Sequence, residues 1–233
     1  KKAVKTLSNY VGRLQRELSR QCHLLSEQAL AEAQQLIKTA KQLRAQARNP
    51  KQANKLYSLH EPDVDCIAKG KAHKRYEFGC KVGISCTQKE GFIVGMRSFA
   101  GNPYDGHTLD ELLQQAETIS GEPVKTVAVD LGYRGKHQTQ AKIIHKAKKL
   151  SRRDKKRLAR RSMIEAFIGH MKNDGRLSRC YLKGKMGDAL HAILCGVGMN
   201  MRLLRNYLRE MILLVLKLLT NSSKTTQYAS VAA

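Results

Sequence analysis

A chain of 233 residues with 43 Lys and Arg against 19 Asp and Glu carries a net charge of +24, far more than packing requires. Self-repulsion opposes folding at that charge, so the composition points to a polyanionic partner, nucleic acid being the commonest. Hydrophobic residues make up 42 % of the chain, Trp is absent and aromatics are 5 %, so a globular core would be mostly aliphatic. Cys22, Cys66, Cys80, Cys86, Cys180 and Cys195 include no Cys-x-x-Cys pair, which removes the usual zinc spacing and fits free thiols in a reducing cytosol. No signal-peptide pattern opens the chain. The apolar run "MILLVLKLL" from Met211 lies beside Arg209 and Glu210 and is interrupted by Lys217, so it reads as a packing helix too short to span a bilayer. The chain starts "KKAVKTL" and its first Met is Met96, which gives the expectation of an internal piece of a longer protein.

In chain order, residues 1–50 read as a basic helical hairpin. Leu7, Val11, Leu14, Leu18, Cys22 and Leu25 recur at steps of three and four, a seam of coiled-coil type. Ser26 begins a second helix that "RNPKQ" at 48–52 ends. Further on, "YEFGCKVGISCT" alternates so that Tyr76, Phe78, Cys80, Val82, Ile84 and Cys86 share one face of a half-buried strand. "QKEG" turns the chain into an antiparallel partner, "FIVGMRSFAG". Thr108 and Glu111 have capping-box spacing, and the helix they open closes at Gly121. Val127–Val129 form a short buried strand ending in Asp130. The order strand, strand, helix, strand predicts a mixed α/β sheet flanked by helices.

Residues 136–161 hold twelve Lys or Arg and one acid, Asp154, and read as too polar for a core element. "SMIEAFIGHMK" is helical in period. So is "GDALHAILCGVGMNMRLLRNYLREMILLVLKLL", with Gly196 and Gly198 expected at close-packing points. The stretch from Asn221 reads as a disordered tail. The resulting division is a hairpin at 1–50, a catalytic domain at 51–210, and a C-terminal helix and tail at 211–233.

Two acids could carry chemistry. Asp130 ends a buried strand, the edge where open α/β sheets bind ligands, although an Asp before Gly132 could equally cap a turn. Glu165 has Arg161 four residues before it and Lys172 seven after, and the three project within a sector of roughly 60° on a helix. The group is either a solvated ion pair or a carboxylate for a divalent cation, with the two cations set against phosphates.

"VAVDLGYRG", "RRSMIEAFIGHMKNDGRLSRCYLKGKMGDALHAILCGVGMNMRLL", "YSLHEPDVDCIAKGKAHKRYEFGCKV" and "GNPYDGHTL" together resemble bacterial insertion-sequence DDE transposases, family five in particular, over at least residues 55–207. Arg161, Glu165 and Lys172 match the spacing of that family's third-acid signature, with Leu158 where a Tyr is expected. The resemblance implies an RNase H-like fold. It also implies that Asp130 and Glu165 are the second and third catalytic acids, holding two Mg²⁺ (or Mn²⁺) in the intact enzyme. Arg161, Lys172 and Arg134 would then contact DNA. The first acid would lie upstream of Lys1, with Asp63 and Asp65 as the only local substitutes, in a loop context. The reaction implied is cutting and joining of DNA strands by phosphoryl transfer. The partners implied are double-stranded DNA (transposon ends and target) and a second copy in synapsis, in the bacterial cytoplasm at the nucleoid. This chain alone would be inactive but DNA-binding. A non-catalytic basic nucleic-acid-binding protein, a hydrolytic nuclease of similar fold and a decayed element remnant remain alternatives. His107 could contact DNA or serve packing.

Overall fold

A computed structural model of the chain describes residues 2–69, 75–135, 137–146 and 149–229, with side chains as far as residue 220. Parts of the "AKGKAHK" and 136–161 stretches, and the last four residues of the tail, lie outside the described residues. The chain divides into two compact units, Lys1–Val64 and Asp65–Ala233.

The first unit is the expected hairpin. Helices α1 (Lys2–Gln21) and α2 (Glu27–Arg48) pack side by side, and Ser26 caps the second by accepting from the Ala29 amide. The seam between them is not the expected one. Leu7 and Leu14 are exposed, whereas Gly12 is buried. A Cβ at Gly12 would sit 2.5 Å from the Arg44 guanidinium, which also donates to Gln15 Oε1 at 3.2 Å. The helices thus meet where α1 has no side chain, and a polar pair closes the contact.

The second unit starts with strand β1 (Asp65–Ala68), antiparallel to β2 (Tyr76–Gly79). The loop expected around Asp65 is therefore the start of a strand. The single strand expected from Tyr76 to Cys86 is broken at Gly79, whose φ of 148° lies where only glycine is at ease. Tyr76 and Phe78 are left exposed on β2. The chain re-enters a ladder as β3 (Lys81–Cys86), antiparallel to β4 (Ile93–Phe99) as expected.

Helix α3 (Asp105–Ser120) begins a turn before the expected capping box. Thr108 Oγ1 donates to the Asp105 carbonyl and Glu111 pairs with Arg97, so neither caps a terminus. Gly121, in the left-handed region, closes the helix. Strand β5 (Thr126–Ala128) follows and pairs in parallel with β6 (Lys142–Ile144). β6 corrects the expectation that 136–161 holds no core element. Ile144 is 2 % exposed because two adjacent isoleucines suffice for a three-residue strand while the flanking lysines stay in water. Helix α4 (Arg152–Asn173) takes the rest of the basic stretch, capped by Ser151. Helix α5 (Gly184–Ala229) continues past Asn221, where no structure was expected, because extending a formed helix needs no new nucleus.

One core cluster joins Ile93 and Met96 of β4, Phe167 and Met171 of α4, and Ala192, Cys195 and Met199 of α5. A second joins Leu109 and Leu113 of α3 to Val129. Gly196 lets α5 approach β4, with a notional Cβ 3.1 Å from Met96 Sδ, whereas Gly198 faces open space and is no packing point. Asn200 completes the docking: its Oδ1 accepts from the Ile93 amide at 2.7 Å and its Nδ2 donates to the Ile93 carbonyl at 2.9 Å. The class is α/β, but among the described residues the strands form three two-stranded ladders rather than one mixed sheet.

Candidate functional site

Asp130 stands two residues beyond β5, carried there by Val129, whose amide extends the parallel ladder to the Ile144 carbonyl. Asp130 caps a 3-10 turn at Leu131–Tyr133, accepting from the Leu131 amide at 2.8 Å through Oδ1. Its other oxygen, Oδ2, lies 3.5 Å from the Arg161 guanidinium on α4, and the same guanidinium lies 3.6 Å from Glu165 Oε1. Two acids 35 positions apart thus converge on one cation. One Asp130 oxygen caps the turn and the other faces Arg161. Both bridges are long, and both carboxylates are more than half exposed. Each pair is worth ~1 kcal/mol at most, so fold stability does not explain the arrangement.

Of the remaining expected residues, Arg134 is exposed just past the 3-10 turn. Lys172 does not stand beside Glu165 as a free cation. Its Nζ reaches Glu77 on β2 at 3.1 Å, and Lys69 reaches the same carboxylate at 3.1 Å. Burial raises the Glu77 pKa, but the two ammonium groups outweigh it and hold the carboxyl at about 2. The acid that claims Lys172 lies 95 residues away in the chain.

Two basic residues that the motif does not include, Arg157 and Arg160, join Arg161 near the pair. Arg157, Arg160 and Arg161 all line a cavity of about 320 Å³ together with Asp130 and Glu165. Behind them the walls are apolar, with Val82 and Ile84 from β3, Val127 from β5, Leu112 from α3 and Ile164 from α4. Among the described residues, β3 and β5 border the cavity without a ladder between them, β3 pairing with β4 and β5 with β6. Ser85 Oγ and Gln88 Nε2, from residues that also line it, are buried without a hydrogen-bond partner. Tyr133 borders the cavity too, its phenol pushed up by burial and by the nearby Asp105 and Asp130.

At the start of α4, Asp154 is 7 % exposed and neutralises Lys142 at 2.8 Å and Arg157 at 3.4 Å, which tie its carboxyl below the usual range. Arg152, Arg153, Lys155, Lys156 and Arg160 remain exposed on the same helix. Burial pushes Cys80, with Asp188 adding, up to about 12 and Cys86 up to about 11, so neither is a thiolate at neutral pH.

The donor set at the cavity mouth is two hard-oxygen carboxylates already gathered around positive charge. This suits Mg²⁺, which binds through one or two carboxylates and keeps several waters. Among the described residues no third His, Cys, Asp or Glu joins them to complete a metal cluster. Asp65, one of the two local substitutes, sits instead at the β1 start with Oδ2 buried and without a partner. His107 lies in the first turn of α3, edge-on to Tyr104. Among the described residues no helix is long and apolar enough to cross a membrane.

A strand-end carboxylate thus meets a carboxylate of the strongly cationic helix α4. The model of the transposase DDE domain family matches residues 35–198, and the chain belongs to that family. It is thereby a member of a family of DNA-transposing, nucleotidyl-transfer enzymes of insertion sequences. No curated protein and no solved structure matches the chain.

Proposed function

We propose that this unit cuts and joins DNA strands by metal-dependent phosphoryl transfer, with Asp130 and Glu165 as metal-holding acids. The observation that carries the reading is their convergence on Arg161 from separate elements. A bound Mg²⁺ would polarise a phosphoryl oxygen and make attack by a water or a 3′-hydroxyl feasible near neutral pH. The chain's own residues position the polymer. Arg160, which lines the cavity with the acids, and the exposed Arg134 take phosphate oxygens, and the exposed cations of early α4 follow the backbone without reading sequence. Arg161 has two stations, on the carboxylates when they lack a divalent ion and on phosphate when they hold one. Lys172 serves as a positioning residue, fixing α4 to Glu77, unless DNA draws it away.

The RNase H-like arrangement is supported by the cavity. Two strands that border one apolar space without pairing, beside unpartnered polar side chains, are what a sheet with one central strand withdrawn would leave. A strand lying there would bring a third acid to the mouth, beside Asp130. A non-catalytic DNA-binding role is the second reading, favoured by the neutralisation of both acids by Arg161.

Manganese titration followed by electron paramagnetic resonance, with DNA affinity measured in parallel, separates the two. The catalytic reading expects bound Mn²⁺ that Asp130→Asn or Glu165→Gln abolishes, and DNA affinity that rises with Mn²⁺. DNA binding indifferent to Mn²⁺ and to both substitutions would leave only the second reading.

A further inference from the structure

Helix α5 has two apolar faces, and among the described residues only one is used inside the unit. Ala192, Cys195 and Met199 go into the core, and Leu203 packs against it. On another face, Leu190, Leu194, Val197 and Met201 begin a run that steps by four and three residues through Leu204 and Leu208 to Leu218. All nine positions of the run are large, apolar and exposed, from 45 % at Val197 to 63 % at Met211. From that register we infer that α5 pairs with α5 of a second copy of this chain in a two-stranded coiled coil.

The period selects the partner. A stripe lying on a flat surface or a lipid headgroup layer follows the 3.6-residue helix, whereas a 4-3 alternation held without a slip averages 3.5, the repeat that keeps a seam facing another helix. The run covers four heptads, about 42 Å of helix at 1.5 Å per residue. A half-exposed side chain of this size offers on the order of 100 Å², so the seam presents about 900 Å² per copy, against the ~800 Å² per partner of a standard stable interface. A helix seam is self-complementary, so a second copy supplies its partner under two-fold symmetry. Arg202, Arg205 and Arg209 lie outside the seam positions, so pairing buries no seam charge. Beyond Glu210 the residues flanking the seam are apolar as well, Ile212, Leu214 and Leu219 among them, which widens the contact towards its C-terminal end.

Sedimentation equilibrium of the full chain, in high salt to suppress nucleic-acid bridging, tests this. A dimer with Kd in the low micromolar range or tighter is expected. Leu204→Glu with Leu208→Glu should weaken it at least 100-fold while leaving melting of the monomer and DNA affinity per chain unchanged. Asn206→Glu, on the same helix but off the seam, should leave the dimer intact. Wild type that stays monomeric at 100 μM overturns the proposal, as does a dimer that survives the double substitution. Wild type that is monomeric in solution but binds neutral phosphatidylcholine vesicles through Leu204 and Leu208 would assign the face to lipid and overturn it equally. None of these readouts depends on Asp130, Glu165 or a metal, so it stands or falls apart from the catalytic reading.

Discussion

Helices α4 and α5 share one core cluster and present opposite chemistries to the outside. α4 buries Phe167 and Met171 and turns Arg152, Arg153, Lys156 and Arg160 to solvent. α5 buries Ala192 and Met199 and turns out a row of Leu, Val and Met. Burial explains the inner faces of both and says nothing about the outer ones. An outer face as charged as that of α4 fits a polyanion, and one as apolar as that of α5 fits another helix. The informative residues are therefore those that packing alone would not have chosen.

The strongest test of the shared inner face is truncation. Met171→Ala on α4 and Met199→Ala on α5 should each destabilise the unit by about 2–4 kcal/mol, read from urea midpoints, because both side chains are almost fully buried. A loss under about 1 kcal/mol at either would mean that helix is docked more loosely than its neighbour. On the outer faces the two should separate. Replacing Arg152, Arg153 and Lys156 together with Ala should lower the salt slope of DNA binding by about 2.7, at ~0.9 per phosphate contact, and leave melting nearly unchanged. The α5 seam substitutions should not alter that slope.

A smaller effect sharpens the account of Lys172. Glu77 titrates from about 2 when folded and from its ordinary 4.5 when unfolded. A depressed carboxyl stabilises above its unfolded pKa, and the contribution fades as pH falls from about 4.5 through 2. After discounting for partial exposure, Glu77→Gln should cost roughly 1–2 kcal/mol at pH 7 and flatten the stability profile between pH 4.5 and 2. The smallest effect concerns Arg161. Arg161→Gln should change stability by less than ~1 kcal/mol, since its bridges are long and open to water, yet it should tighten Mn²⁺ binding by removing a competing cation. Weaker Mn²⁺ binding would show that the guanidinium organises the carboxylates rather than occupying their site.

Local signals carried well into the structure. The helix cap at Ser26, the stop after Arg48, the β3–β4 hairpin, the closure at Gly121 and the strand before Asp130 each rest on neighbouring residues that the sequence shows together. What it could not show were long-range claims on side chains. Lys172 goes to Glu77, Lys142 to Asp154 and Glu111 to Arg97, and no spacing rule pairs them. The hairpin seam was missed because a glycine contact outranked the leucine period. β6 was hidden because three residues among lysines are too few to show a pattern. At the site, the Glu165–Arg161 pair follows from helix geometry, whereas the approach of Asp130 to the same guanidinium needed the fold.

The two hydrogen bonds between Asn200 and Ile93 tie residues 107 positions apart. At a ribosomal rate of ~5–20 residues per second, α5 emerges on the order of 5–20 s after β4. For that interval the hairpin has its inner face and one backbone amide-carbonyl pair open to any passing strand. The last long helix of the unit thus acts as a late clasp, and the window before it arrives is when a nascent chain is most in need of chaperone cover.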